Sequence, residues 1–188
     1  RRFPSMKIAV ETNSNLIDFF DTYPTSMIND DFGTRWCMYA NTTLSQQARS
    51  SLYPALEKVL EGKSQVDAVN MLLNFVQTAF VYEYDDKVWG YDRAFFAEET
   101  LFYPYCDCED RSILFSRLVR DLLGLKVVLI YYPGHLATAV RFSENVTGDY
   151  LSVNTSRYVI CDPTYIGAPV GRTMPNMDNG NAKVILLE

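Results

Sequence analysis

Two periodicities divide the chain. From Ser64 to Phe80, apolar residues fall at Val66, Val69, Leu72, Leu73, Val76 and Phe80, the spacing of a helix with one buried face. Ser64 is placed to cap it, and Asp67 is an acid in its first turn. A second stripe, Ile113, Leu114, Leu118, Leu122 and Leu123, predicts a helix from Asp107 to Leu123, stopped by Gly124. After Leu125 the pattern changes. "LKVVLIYYP", "HLATAVRF", "YLSVN" and "RYVICDPTY" are rich in β-branched and aromatic residues and predict strands. "FSENVTGDY" reads as a turn, and "MDNGNAKVILLE" as an Asn-Gly turn leading into a last strand.

The first third is less regular. "SMKIAVET" alternates like a strand, "NLIDFFDTYP" reads as a short helix or turn closed by Pro24, and "RWCMYAN" as a strand. "LSQQARSSLYPALEKVLEGK" is helical and stops at Gly62, with Pro54 placing the true start near Tyr53. "EYDDKVWGYDRAFFAEETLFYPY" is irregular and very aromatic, the wall of a cleft or a satellite core. Helices come first and a run of strands follows. That order predicts an α+β fold with helices packed on an antiparallel sheet. Residues 64–188 form the expected core. Residues 1–63 are an N-terminal extension packed on it, or the end of a preceding domain.

Composition narrows the function. At 188 residues with 48% hydrophobic, the chain can bury one sizeable core. Its net charge of −6 argues against nucleic acid and anionic membrane surfaces, which need a basic footprint. No apolar run approaches the roughly 18 residues of a membrane span. Four cysteines are too few for a disulfide scaffold. A single histidine excludes zinc patterns needing two, and Cys37, Cys106, Cys108 and Cys161 contain no C-x-x-C pair, so no metal or other cofactor is expected. The start at Arg1 reads as an excised piece of a longer protein, with its cellular address lost.

The chemistry gathers in "YPYCDCEDRSILFSRLVRDLLGL". Asp107 can cap the helix, with Asp110 at the third helical position as a variant capping box. Cys108 is then the first helical residue, where the helix dipole and free backbone N–H groups favour thiolate. Asp107, Glu109 and Asp110 oppose that, so the thiol needs a cationic partner. Cys106 falls outside the helix and reads as a bystander. His135 follows the Pro133-Gly134 turn and opens a strand, from where it can project into a cleft. Asp162 ends another strand, where Asp-Pro-Thr is common turn chemistry. A nucleophilic thiol needs an imidazole and a third group to orient it, and Cys108, His135 and Asp162 supply these in that order. Cys161 points opposite to Asp162 and reads as a buried strand residue.

These residues resemble the transglutaminase-like superfamily of papain-like thiol enzymes. Its helix motif, C-x-D/E-x-A/S-x-L ending in Gly, is matched by Cys108, Asp110, Ser112 and Leu114, and its strand-borne His and Asp by His135 and Asp162. The resemblance covers about residues 64 to 165. It implies a papain/transglutaminase-like core with Cys108 as nucleophile, His135 as general base and then acid, and Asp162 fixing the imidazole. The backbone N–H of Cys108 and one further donor would bind the oxyanion, with Trp89, Tyr103 and Tyr105 as candidates. Two departures touch the substrate. Cys106 stands where many members have Gly, and Leu136-Ala137 where many have an aromatic residue. "NMDNGN" is too short and too poor in carboxylates for the calcium loops of the animal enzymes.

The reaction expected from the resemblance is thiol-dependent acyl transfer on an amide of a peptide or protein substrate. Passage to water makes it a cysteine peptidase or amidase, the default; passage to an amine is the transglutaminase variant. The chain would act as a monomer, beside other domains of a secreted or envelope protein as in many bacterial relatives. The alternative is a non-catalytic peptide- or glycan-binding module that keeps the fold, with Val81–Tyr105 as its groove. An acyltransferase using an activated small donor is a third reading, disfavoured because no phosphate-cradling Gly-rich loop is present.

Overall fold

The computed structural model describes residues 3, 6–23 and 31–188. In chain order it contains α1 (Ser14–Asp21), α2 (Phe32–Asn41), α3 (Gln46–Leu60), α4 (Gln65–Ala79), β1 (Val81–Tyr82), α5 (Asp85–Val88), α6 (Ala97–Phe102), β2 (Tyr105–Cys106) and α7 (Cys108–Leu123). The strands β3 (Lys126–Tyr132), β4 (His135–Arg141), β5 (Tyr150–Val153), β6 (Ser156–Cys161) and β7 (Lys183–Leu186) follow. β3 to β7 form one antiparallel sheet in the order β5-β6-β4-β3-β7, while β1 and β2 pair in parallel apart from it. The fold is α+β, as the order of patterns predicts.

Helix α7 is central. Its apolar stripe buries Ile113, Leu114, Phe115, Leu118 and Val119 against α4, α2 and the face of β3 and β4. A Leu or Phe buried there contributes about 1.5–3 kcal/mol. Asp107 accepts from the Glu109 amide, and the Asp110 carboxylate accepts from the Asp107 amide at 3.1 Å, closing the capping box. Gly124 ends the helix at φ 63°, a left-handed conformation that favours glycine. The other sheet face carries Val128, Ile130, Ala137, Ala139, Tyr158 and Ile160, with Met177 and Ala182 of the C-terminal segment packed on them.

Several sequence expectations change. "RWCMYAN" is not a strand but most of α2. Asp31 caps that helix through the Thr34 amide, and Arg35, Trp36, Tyr39 and Ala40 share its buried face at helical spacing. Its aromatic residues mimicked β propensity, and burial decided otherwise. "SMKIAVET" pairs with no strand among the described residues. Met6, Ile8 and Val10 do alternate toward the core, but the segment joins neither sheet. Helix α3 starts at its Ser45 cap rather than near Tyr53 and runs through the exposed Pro54. An interior proline costs about 3 kcal/mol. The stripe Ala48, Leu52, Leu56 and Leu60, buried on both sides of it, outweighs that loss. The expected stop at Pro24 lies outside the described residues. "EYDDKVWGYDRAFFAEETLFYPY" is less irregular than its composition suggests and holds α5 and α6.

The described residues of α2 and α3 share the core of the later helices. Trp36, Tyr39, Leu44, Leu52 and Leu56 belong to the same hydrophobic cluster as α4 and α7. No described helix is long and apolar enough to cross a membrane.

Candidate active-site cleft

The N-terminus of α7 and the β3–β4 hairpin meet at a cavity of about 250 Å³. Cys108, His135 and Leu136 lie on its floor and rim, and Phe32, Trp36, Tyr82, Tyr84 and Tyr131 form its aromatic walls. The hairpin turn is Pro133-Gly134, with Gly134 at φ 77°, which fits a type II turn and sets His135 opposite Tyr132. The Ser112 hydroxyl, one helical turn beyond Cys108, donates to the Leu136 carbonyl at 2.9 Å. This bond ties the start of β4 to the first turns of α7, so thiol and imidazole are held at one end of the same packed pair.

His135 and Asp162 come together directly. Nε2 of His135 lies 2.9 Å from Oδ2 of Asp162, and both side chains are almost fully buried. Asp162 Oδ1 accepts the backbone N–H groups of Thr164 and Tyr165 at 2.8 and 3.2 Å. Its backbone carbonyl accepts from Gln77 Nε2 of α4 at 3.0 Å. The turn bonds of "DPT" and the contact to His135 are therefore made by the two oxygens of one carboxylate. With the carboxylate as acceptor, Nε2 carries the imidazole proton and Nδ1 is left as the basic nitrogen. The ring also stacks on Tyr132, centroids 6.2 Å apart.

Cys108 shares the cavity with His135 but does not hydrogen-bond to it. Its thiol donates to Glu109 Oε2 at 3.2 Å. Burial, then the charges of Glu109 and Asp107, push the thiol well above its usual range, and the Leu136 backbone N–H opposes them. The dipole of α7 does not prevail, and the resting thiol is protonated. The surrounding acids show the same crowding. Burial, with Asp110 and Glu109 behind it, raises Asp107 to about 10. Asp85 is pushed up to about 6 by burial first, against the lowering bond from the Arg93 amide. Asp110 is fully buried and raised well above the carboxylate range by burial and Glu109. Its Oδ1 accepts from Phe95 N at 2.7 Å, so it holds the loop before α6 as well as the helix start.

The other cysteines separate clearly. All four are free thiols. Cys161 is fully buried, faces the core, and donates to the Val159 carbonyl. Cys106 is more than a sequence bystander, because its sulfur accepts from Arg111 Nε at 3.3 Å. Arg111 is fully buried and also reaches the carbonyls of Gln77 and Phe80 at the end of α4. Its guanidinium sits 5.3 Å from the Tyr82 ring centroid. It thus fastens α7, α4 and β1 behind the cleft. Burial lifts the Cys106 thiol to about 12, so it is unreactive at neutral pH.

Trp89, Tyr103 and Tyr105 do not line the cavity. Trp89 and Tyr103 pack on each other around Arg93, and Tyr105 is exposed on β2. Tyr82 lines it instead. Burial and the neighbouring Cys108 and Asp107 raise its hydroxyl, which stays a proton donor. Sequence reasoning missed Tyr82, Trp36 and Asp92. Only alternation within "FVYEYDD" could have flagged Tyr82, and Trp36 was hidden by the misassigned strand. Oxygens of Asp85, Asp92 and Glu109 approach within 4.8 Å of one another, as do the donor atoms of Asp107, Cys108 and Glu109. No protein-family profile matches the chain, and no curated protein matches it in sequence.

Proposed function

We propose that the chain is a thiol-dependent amide hydrolase of papain/transglutaminase-like architecture, with Cys108 as nucleophile, His135 as general base and acid, and Asp162 as the orienting residue. The observation that carries this reading is the buried His135–Asp162 pair opening on the cavity that also holds Cys108, the first residue of the central helix. Nδ1 of His135 takes the thiol proton. The sulfur attacks the amide carbonyl carbon, and the oxyanion is met by the Cys108 backbone N–H, which has no intrahelical acceptor, and by the Tyr82 hydroxyl. The imidazolium protonates the leaving amine as the C–N bond breaks. Water, deprotonated by the same imidazole, attacks the thioester, and the acid leaves as the thiol is restored. Transfer to an amine follows the same steps with the amine in place of water.

One observation favours a second reading, a non-catalytic peptide-binding cleft: the thiol bonds Glu109 rather than His135 and is held protonated. Iodoacetamide labelling at pH 6, read residue by residue by mass spectrometry, separates the two. The hydrolase reading expects Cys108 labelling to fall in His135→Ala while labelling of Cys106 and Cys37 stays the same. It also expects a mass-detectable acyl-enzyme with an activated ester of a peptide. Equal labelling in both proteins would give the binding reading the lead.

A further inference from the structure

The hydrolase reading does not say what the cleft selects, but its lining does. Asp92, Asp107 and Glu109 reach the cavity, Asp85 stands within 4.8 Å of Asp92 and Glu109 through its carboxylate, and no Lys or Arg among the described residues lines it. Behind the lining, Arg35 pairs with Asp92 at 2.8 Å and lies over the Phe32 ring, and Arg111 lies over the Tyr82 ring, which leaves Glu109 without a cationic partner among the described residues. The opposite wall is aromatic, with Phe32 and Tyr131 flanking Trp36 at 5.6 and 5.5 Å. The indole N–H of Trp36 is buried and finds no acceptor among the described residues, although Trp36 lines the cavity. Buried donors are rarely left without a partner. That orphan points to a ligand acceptor such as a peptide carbonyl. Carboxylates facing rings are the features that hold an ammonium or guanidinium.

We propose that the cleft selects peptides with a positively charged side chain, lysine or arginine, on the acyl-bearing residue or its immediate neighbour, the charge seated against Glu109 and Asp92. This rests on the hydrolase reading for the position of the scissile bond, and on the lining alone for the charge. An amine paired with these carboxylates stays protonated and is no nucleophile. The cation is therefore a recognition group on the acyl donor and not the attacking amine. At about 250 Å³ the cavity suits one side chain and its amide, below the roughly 300–1,000 Å³ of a pocket for a whole small molecule. The cation would also compete with the thiol for Glu109 Oε2, releasing the Cys108 proton toward His135.

Two methanethiosulfonate probes of similar size and opposite charge, ethyl-trimethylammonium and ethylsulfonate, test this on the intact chain. Each forms a mixed disulfide with Cys108 and expels methanesulfinate. Rates at Cys108 are divided by those at Cys37 in the same molecule, which removes the effect of the overall charge, with EDTA keeping metal ions off the carboxylates. The cationic probe should be favoured at Cys108 by about tenfold or more at low salt, falling as salt screens the field. Asp92→Asn and Glu109→Gln should bring the ratio toward that of Cys37. The Asp92 side chain is 59% exposed but pairs with the buried Arg35, so the melting temperature of Asp92→Asn is measured beside its labelling ratio. A ratio near one, or one unchanged in both variants, overturns the inference. Peptide amides with Lys against acetyl-lysine then separate the two claims. Charge preference without turnover defeats the hydrolase reading and keeps the cation site. Turnover indifferent to acetylation defeats the cation site alone.

Discussion

The sharpest prediction concerns Asp162→Asn. Two backbone N–H groups, from Thr164 and Tyr165, already hold Oδ1 at 2.8 and 3.2 Å. In the asparagine variant these donors keep the amide oxygen, so the NH₂ group occupies the Oδ2 position, 2.9 Å from His135 Nε2. An NH₂ group cannot accept a proton. Nε2 must then become the acceptor and the imidazole proton must move to Nδ1, the nitrogen that should receive the thiol proton. A hydrogen bond to a charged group contributes about 1.5–3 kcal/mol, so loss of orientation alone should slow acylation roughly ten- to hundredfold. The wrong tautomer adds to this. His135 is the only histidine in the chain, so long-range ¹H–¹⁵N correlation spectra report its tautomer without assignment. The wild type should show the Nε2–H form and Asp162→Asn the Nδ1–H form, with melting temperatures close together because the turn is retained. A wild-type Nδ1–H tautomer, or equal acylation rates with the tautomer reversed, would refute this account of the pair.

Three further perturbations follow from the same geometry. Glu109→Gln removes the charge that holds the Cys108 proton, so iodoacetamide labelling of Cys108 should rise at pH 7; a rate equal to or below wild type would show that burial alone suppresses the thiol. Ser112→Ala deletes the bond to Leu136 and should cost about 1–3 kcal/mol in urea unfolding, because a buried carbonyl loses its partner; no change in unfolding midpoint would mean that β4 is held by packing alone. Asp85 has its pKa raised in the folded state, from 3.8 to about 6, so its contribution to stability is fully present below pH 3.8 and lost as pH rises through about 6. Asp85→Asn should therefore raise the melting temperature above pH 6 relative to wild type and leave it unchanged near pH 3.5, and a gain at both pH values would point to another cause.

The fold was legible where one periodicity ran long enough to demand burial. Helices α4 and α7 announce themselves by stripes that recur over four turns, and β3, β4 and β6 by dense β-branched runs. The N-terminal third failed where local preference and tertiary burial disagree. Trp36 and Tyr39 favour a strand as residue types, yet with Arg35 and Ala40 they form one buried helical face. Pro54 should end a helix, yet Leu52 and Leu56 are both fully buried and carry α3 across it. "SMKIAVET" shows the converse. Its alternation reports a buried side correctly, but a strand also needs a partner edge, and nothing local to the segment encodes where the edges of a distant sheet lie.

The candidate site was legible as an ordered set of residue types and illegible as a field. Cys108 at the helix start, His135 after the Pro-Gly turn and Asp162 at a strand end are each visible from their neighbours, because caps, turns and strand ends are local. The state of the thiol is not local. It depends on how far burial and the carboxylates of Glu109 and Asp107 outweigh the helix dipole, and burial is a property of the whole packing. Counting three acids around Cys108 gives the direction of their push. It cannot tell that Glu109 accepts the hydrogen bond of the thiol while Asp107 and Asp110 are spent on capping. The same packing brings Asp92 and Trp36, both remote from Cys108 in sequence, into its cavity. Glu109 holds the Cys108 proton by its hydrogen bond, while Asp92 is paired with Arg35 and burial raises Asp107 to about 10, so a positive charge arriving at Glu109 is the element that would free the thiol.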